Sequence, residues 1–322
     1  MKSTTIVFVL ALFGTFDAGA LSSELSGLQT LAGDDQHIVD AVREFDILQQ
    51  KLADWDFEMA RIHSEAGQDA LAKMKVEQAR RRLNLIAEAY EFVLSHHKAS
   101  ARANNYYGEL LCDRFNEIDR AVRLWELALV LNPDFSPPYN NLGIFYCHVG
   151  QYSKGLKHYL AALELDPDNP DYLFNLAQTY LLHGPQVREL MGWDAERVYR
   201  EAMAASRKAV RFAPQDFELL QDYAMNFFAA ENFGVKADWQ AAVEAWEAAR
   251  EHARNIDEEF NTWVHQGRVH KRQGNNGEAA HCFRQALQLR PQSKLVRQLL
   301  AETEPDSEPA TKTGSRSARQ AH

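Results

Sequence analysis

The chain has 322 residues, 46% of them apolar, which is enough to bury a sizeable core and excludes a chain disordered throughout. A formal net charge of -10 gives an acidic surface that repels phosphate backbones and anionic lipid, so nucleic acid is not an expected partner. With only 16 glycines and 10 prolines, the composition favours helices over a turn-rich β architecture.

Residues 1–20 read as an export signal. Lys2 supplies a positive start, Ile6 to Gly14 an apolar run, and Ala18, Gly19 and Ala20 the small side chains a signal peptidase needs. Cleavage after Ala20 would deliver the mature chain, beginning at Leu21, to a periplasmic space. The apolar run is roughly half of what a bilayer-spanning helix requires. No later segment is long and apolar enough, so no membrane span is expected after cleavage. Cys112, Cys147 and Cys282 are too few and too scattered to form a disulfide framework and read as small apolar fillers.

Residues 21–100 form a helical cap region in this reading. From Ile38 onward, Val42, Phe45, Leu48, Leu52, Trp55, Met59 and Ile62 recur at spacings of three and four, as one stripe of a long amphipathic helix. Leu83, Ile86, Tyr90, Val93 and Leu94 continue the pattern after Glu65-Ala66-Gly67. The stripe either covers the open end of the elements that follow or, being close to a heptad, joins two copies of the chain.

Residues 101–292 repeat. Tyr139, Leu142, Gly143 and Tyr146 lie on one helix, and Gly155, Tyr159, Ala162 and Pro167 on the next. The small residues let antiparallel helices approach closely, the aromatics fill the remaining space, and the proline, lacking a donor, stops the second helix. Upstream, Gly108, Leu111, Ala121, Trp125, Ala128 and Pro133 repeat the pattern, with Pro133 and Pro167 about 34 residues apart. Downstream come Leu173, Leu176, Ala177 and Tyr180 with Ala202, Ala209 and Pro214, and then Leu220, Tyr223, Ala224 and Phe227 with Ala242, Trp246 and Ala249. The last unit has Trp263, Gly267, Ala279, Phe283, Ala286 and Pro291. Ser206, Arg254, Gln266 and His270 depart from the pattern.

The unit resembles the tetratricopeptide repeat (TPR). That resemblance implies an all-α, right-handed superhelical solenoid of antiparallel helix pairs, five repeats long, whose first helices line a concave wall. A capping helix would follow at 293–301 and a disordered tail at 302–322. It also implies a non-enzymatic scaffold that binds a protein or peptide. Insertions at 184–194 and 231–238 join first to second helices, with Asp194 and Asp238 placed to cap the helices that follow. As loops of a repeat array they should tolerate shortening.

No phosphate-binding loop, dinucleotide turn, paired-cysteine zinc pattern or His-Glu-x-x-His is present, so no cofactor, metal or catalytic residue is assigned. His96 and His97 point to different sides of a helix and suit a helix end. Asn141 and Asn175 each precede the bulky residue that starts the tight helix contact, and either resemble the asparagine ladder by which some TPR domains hold a peptide backbone or are simply tolerated on a wet surface. Arg268, Lys271 and Arg272 form a cationic stripe that either grips acidic groups or is a solvated face. Leu190, Met191, Trp193, Phe233 and Val235 on the insertions either pack together or offer an apolar edge to a partner. An accessory subunit of an envelope complex, a homo-oligomer joined through the amino-terminal helices, and an enzyme with a site at the insertions are the competing readings.

Overall fold

A computed structural model describes residues 35–97 and 99–303. The signal segment 1–20, the first part of the cap at 21–34 and the tail from 304 lie outside the described residues. Among the described residues every regular element is a helix. The chain divides between Pro167 and Asp168 into two compact units, where the repeats alone suggest one uninterrupted stretch.

The first unit contains α1 (Asp35–Glu65), α2 (Asp69–His96), α3 (Ala101–Phe115), α4 (Ile118–Leu131), α5 (Ser136–His148) and α6 (Tyr152–Leu165). Short turns make α1/α2, α3/α4 and α5/α6 antiparallel hairpins. Close approach follows from glycine: a Cβ at Gly143 would lie 2.7 Å from the Tyr159 ring, and one at Gly155 would lie 2.3 Å from Cys147 Sγ. No disulfide joins the three cysteines among the described residues. His97 ends α2, its backbone N–H donating to the Val93 carbonyl.

The apolar stripe of α1 is only half buried. Val42 and Phe45 are 1% exposed, but Leu48, Trp55 and Ile62 face solvent at 41%, 55% and 42%. The interior is filled instead by Ala53, Ala60, Ala72 and Ala79, which bring α1 and α2 close together, and by two buried carboxylates. Asp46 accepts from Tyr90 Oη at 2.8 Å and from Arg43 at 2.8 Å. Asp56 accepts from Lys75 Nζ at 2.8 Å and Arg82 Nε at 2.9 Å. Burial alone would raise the Asp56 carboxyl, but these two bonds outweigh it and hold the group below the usual carboxylate range.

The second unit contains α7 (Pro170–Leu182), α8 (Gly184–Met191), α9 (Ala195–Phe212), α10 (Phe217–Asn226), a 3-10 helix (Phe227–Phe233), α11 (Trp239–Glu251), α12 (Ile256–Gln273), α13 (Asn276–Leu289) and α14 (Lys294–Ala301). Trp246 and Phe283 are fully buried in its core. Two departures from the repeat pattern are satisfied polar pairs. Ser206, in place of an aromatic, accepts from Asn226 Nδ2 at 3.1 Å, and Gln266 is held by Arg250 and Glu247.

The insertions are structured rather than free loops. The first folds as α8, whose Val187 is fully buried. Asp194 caps α9 through Arg197 N at 2.7 Å, and Asp238 caps α11 through Ala241 N at 3.0 Å. At the carboxyl end, Glu302 and Thr303 belong to the cap rather than to a disordered tail. Glu302 pairs with Lys271, and Thr303 is 2% exposed with its hydroxyl donating to the Leu300 carbonyl.

Candidate functional site

In the first unit, the first helices α3 and α5 meet through polar side chains. Asn141 Nδ2 donates to Asn105 Oδ1 at 3.0 Å and to Glu109 Oε1 at 3.3 Å, and Arg43 from α1 reaches Glu109 Oε2 at 2.9 Å. Burial raises the Glu109 carboxyl; Arg43, Asn141 and Asn105 work against that rise. The second unit repeats this junction between α7 and α10. Gln178 Nε2 donates to Asp222 at 2.7 Å and 2.8 Å, and Asn226 adds a bond at 3.0 Å. Burial raises the Asp222 carboxyl as well. In both units a carboxylate on one first helix is held by an amide on the neighbouring first helix.

These contacts change the reading of the asparagines. The Asn141 amide donates to the chain's own Asn105 and Glu109, so its N–H groups are engaged inside the fold. Asn175 lies half-buried on α7, and its backbone carbonyl accepts from Thr179 Oγ1 at 2.9 Å. The two fall in different units, and Asp222 and His265 occupy the later equivalent places.

The cationic stripe on α12 is also divided. Lys271 pairs with Glu302, and Arg272 pairs with Glu231. Arg268 makes no ion pair among the described residues. Its guanidinium lies 5.3 Å from the centre of the Phe228 ring and donates to His265 Nδ1 at 3.2 Å. The His265 ring stacks on Trp246 at 4.9 Å with the planes 10° apart. Burial first, and the Arg268 charge second, push the imidazole down to about 4, so it is neutral at pH 7 and free to accept. Trp246 Nε1 is buried and has no hydrogen-bond partner in the structure. Arg268, His265 and the half-buried Phe228 thus form a basic and aromatic cluster, backed by the buried Trp246, that spacing does not disclose, although the Phe227-Phe228 pair that opens the 3-10 helix was an available signal.

The insertion edge is mostly closed. Gly184 packs on Phe233, whose ring lies 5.8 Å from Tyr199, and Trp193 meets Tyr180 edge-on at 5.8 Å beneath Arg197. Val235 joins the buried cluster of the second unit. Met191, Trp193, Phe233 and Val235 are half-buried; Leu190 stays 45% exposed.

The comparisons with known proteins agree with this architecture. Residues 124–157 and 260–293 match the profile of the tetratricopeptide repeat, and 145–184 that of the TPR repeat. Photosystem I assembly protein Ycf3 of Rippkaea orientalis is 31% identical over 134 residues, covering 41% of this chain and 72% of that protein. Its namesake in Synechococcus elongatus is 30% identical over 136 residues, covering 41% and 79%. Among solved structures, the C-terminal part of a TPR repeat-containing protein from Cytophaga hutchinsonii superposes with a TM-score of 0.50 at 16% identity, covering 82% of this chain and 94% of that one. The APC/C hetero-tetramer Cut9-Hcn1 gives 0.50 at 13% identity, covering 88% and 51%. With its repeats matched in sequence and its helix pairs matched in structure, the chain belongs to the tetratricopeptide-repeat family.

Proposed function

We propose that this chain is an exported, non-enzymatic scaffold that holds a protein partner through the first-helix face of its second unit. The observation that carries the reading is Arg268, the member of the α12 stripe left without a carboxylate among the described residues, held beside Phe228 and His265. A cation already placed by an aromatic ring and a neutral imidazole offers charge-assisted hydrogen bonds to an acidic group of a bound segment. The assembly role in the name of the two cyanobacterial relatives supports action on another protein. Export rests on the Lys2 start, the apolar run and the small residues at Ala18 and Ala20.

The test is fluorescence anisotropy with a short extended peptide ending in acidic residues and a free carboxylate, beside an acid-free amidated counterpart. Arg268→Ala should weaken capture of the acidic peptide by about tenfold or more, the effect of losing a charge-assisted bond worth roughly 1.5 to 3 kcal/mol. Lys271→Ala and Arg272→Ala should matter less, because both charges are already paired. If Arg268→Ala left the affinity unchanged, this face would not be the binding surface. Amino-terminal sequencing of exported material tests the signal, with Leu21 as the expected first residue.

A further inference from the structure

In the first-helix junctions of the two units a carboxylate and an amide have changed places. Glu109 follows Gly108 on α3 and meets Asn141, which stands two residues before Gly143 on α5. Gln178 follows Ala177 on α7 in the same way and meets Asp222, two residues before Ala224 on α10. The exchange puts the charge on the later helix of the pair.

The two carboxylates differ in one respect. Glu109 receives amides from Asn105 and Asn141 and also a cation, Arg43 at 2.9 Å. Asp222 receives amides alone: Gln178 on both oxygens, and Asn226 on Oδ2 at 3.0 Å. It makes no ion pair among the described residues. Every bond that ends on it comes from an N–H, which suits the ionised form. With about four lone-pair sites and three such bonds, Oδ1 keeps room for one more donor. The side chain is half-buried rather than sealed. The chain thus neutralises one of these carboxylates with a cation and leaves the other to neutral donors.

Arg268 on α12 is the converse, a cation without a carboxylate. Its guanidinium lies over Phe228, just past the end of α10, and so stands level with a point six residues beyond Asp222. That is about 9 Å along the helix axis. With the 8 to 10 Å typical between neighbouring helices, the two charges stand roughly 13 Å apart, too far to pair with each other. Of the other charged side chains on α10 and α12, Glu218 and Glu258 share Arg254, Asp257 holds Arg290, and Lys271 and Arg272 have their own carboxylates. Glu259 accepts from Trp263 Nε1 at 3.4 Å. We infer, resting on the reading that this face holds an extended segment of a partner, that the segment is bipolar, with a lysine or arginine on Asp222 and an acidic group on Arg268. At about 3.3 Å per extended residue the two lie roughly four residues apart. A wholly acidic segment would set a like charge against Asp222, which is the juxtaposition that rejects wrong partners.

The test varies one position of the acidic-ended peptide. Four residues before its acidic end it carries lysine, glutamine or glutamate, and fluorescence anisotropy on the full chain ranks the three. Wild type should hold the lysine peptide at least fivefold more tightly than the glutamine peptide, and the glutamate peptide more weakly than either. Added salt should shrink both differences. Asp222→Asn should bring the three affinities together and leave the glutamine peptide where it was. That variant still offers Gln178 an amide to bond, so it should melt like wild type, and the ranking on the unaltered chain does not depend on it. Arg268→Ala should weaken all three alike while keeping their order. Equal binding of the three peptides to wild type, with Arg268→Ala still weakening them, would overturn the bipolar partner and leave the docking face in place. A lysine preference that survived Asp222→Asn would overturn it as well, by placing the cation on another group. If none of the three bound, the docking face itself would be refuted, and the bipolar partner with it.

Discussion

A Cβ on Gly108 would lie 2.5 Å from the indole nitrogen of Trp125, and at that closeness Trp125 donates to the Asn105 carbonyl at 3.3 Å. The same geometry recurs at Gly143 with Tyr159 and at Gly267 with Phe283, the latter at 2.6 Å. Ala224 stands at the equivalent place in the fourth repeat, in the same buried cluster as Trp246. There the indole leans on His265 and its nitrogen is left without a partner. The glycine is therefore a packing requirement: at each of these three places the aromatic ring of the second helix occupies the space a side chain would need.

Gly143→Ala should accordingly destabilise the first unit by about 1 to 3 kcal/mol, the cost of forcing a methyl into a filled contact. Gly277→Ala is the control, since nothing lies within 4 Å of its added Cβ. That variant should be neutral or slightly stabilising, because alanine restricts the unfolded chain. Thermal melts of both variants decide the matter, and equal melting temperatures would remove the packing argument.

The repeats were legible because glycine, alanine, aromatic and proline each answer one geometric demand at a fixed spacing. Gly143, Tyr159 and Pro167 announce a hairpin and its end. The cap was legible as helix but not in its facing. A stripe through Leu48, Trp55 and Ile62 reads as buried, yet Ala53 and Ala60 permit so close a helix pair that the interior turns toward them and toward Asp46 and Asp56. Periodicity cannot anticipate a buried charge whose partners lie 19 and 26 residues away on another helix. For the same reason the pairing of Lys271 with Glu302, and the engagement of Asn141 by Glu109, were not visible. Spacing places residues on a helix face and says nothing of what the next helix brings to that face.

Asp56 should be a stabilising group that depends on its charge. Its carboxyl is held below its ordinary value in the folded chain, so its contribution is complete above about pH 4 and is lost as pH falls through the lowered folded value. Asp56→Asn should cost about 3 kcal/mol at neutral pH, near the lower end for breaking a buried pair, because Lys75 and Arg82 retain some access to water. Denaturant titrations at pH 7 and pH 3 should show the gap between variant and wild type narrowing in acid. A gap independent of pH would mean that packing rather than charge is responsible.

The first insertion should behave as part of the core. Val187→Ala removes two buried methyl groups and should destabilise the second unit by about 2 kcal/mol. Leu190→Ala, at a position 45% exposed, should change stability by no more than roughly 0.5 kcal/mol. Cutting out 184–194 should therefore lower the melting temperature rather than pass unnoticed, as a free loop would. Calorimetry on the three variants tests this, and an unchanged melt for Val187→Ala would show that α8 does not contribute to the core.

His265 gives the second unit a pH dependence of the opposite origin. Its folded imidazole is pushed down to about 4 by burial against Trp246 and by the Arg268 charge, while in the unfolded chain it titrates near 6.5. As pH falls from 6.5 the unfolded state takes up the proton first, so stability is complete above that value, declines toward pH 4 and levels off below it. The total loss should be on the order of 2 kcal/mol, less than the full shift implies because the ring is only partly enclosed. His265→Phe keeps a flat ring against Trp246 and removes the titration. Melts at pH 7 and pH 4.5 should show wild type losing more stability than the variant over that interval. Arg268→Ala should lessen the wild-type loss in part, because it removes the smaller of the two causes and leaves burial in place. Parallel pH profiles for wild type and His265→Phe would place the acid sensitivity elsewhere and show that the stacked imidazole titrates normally.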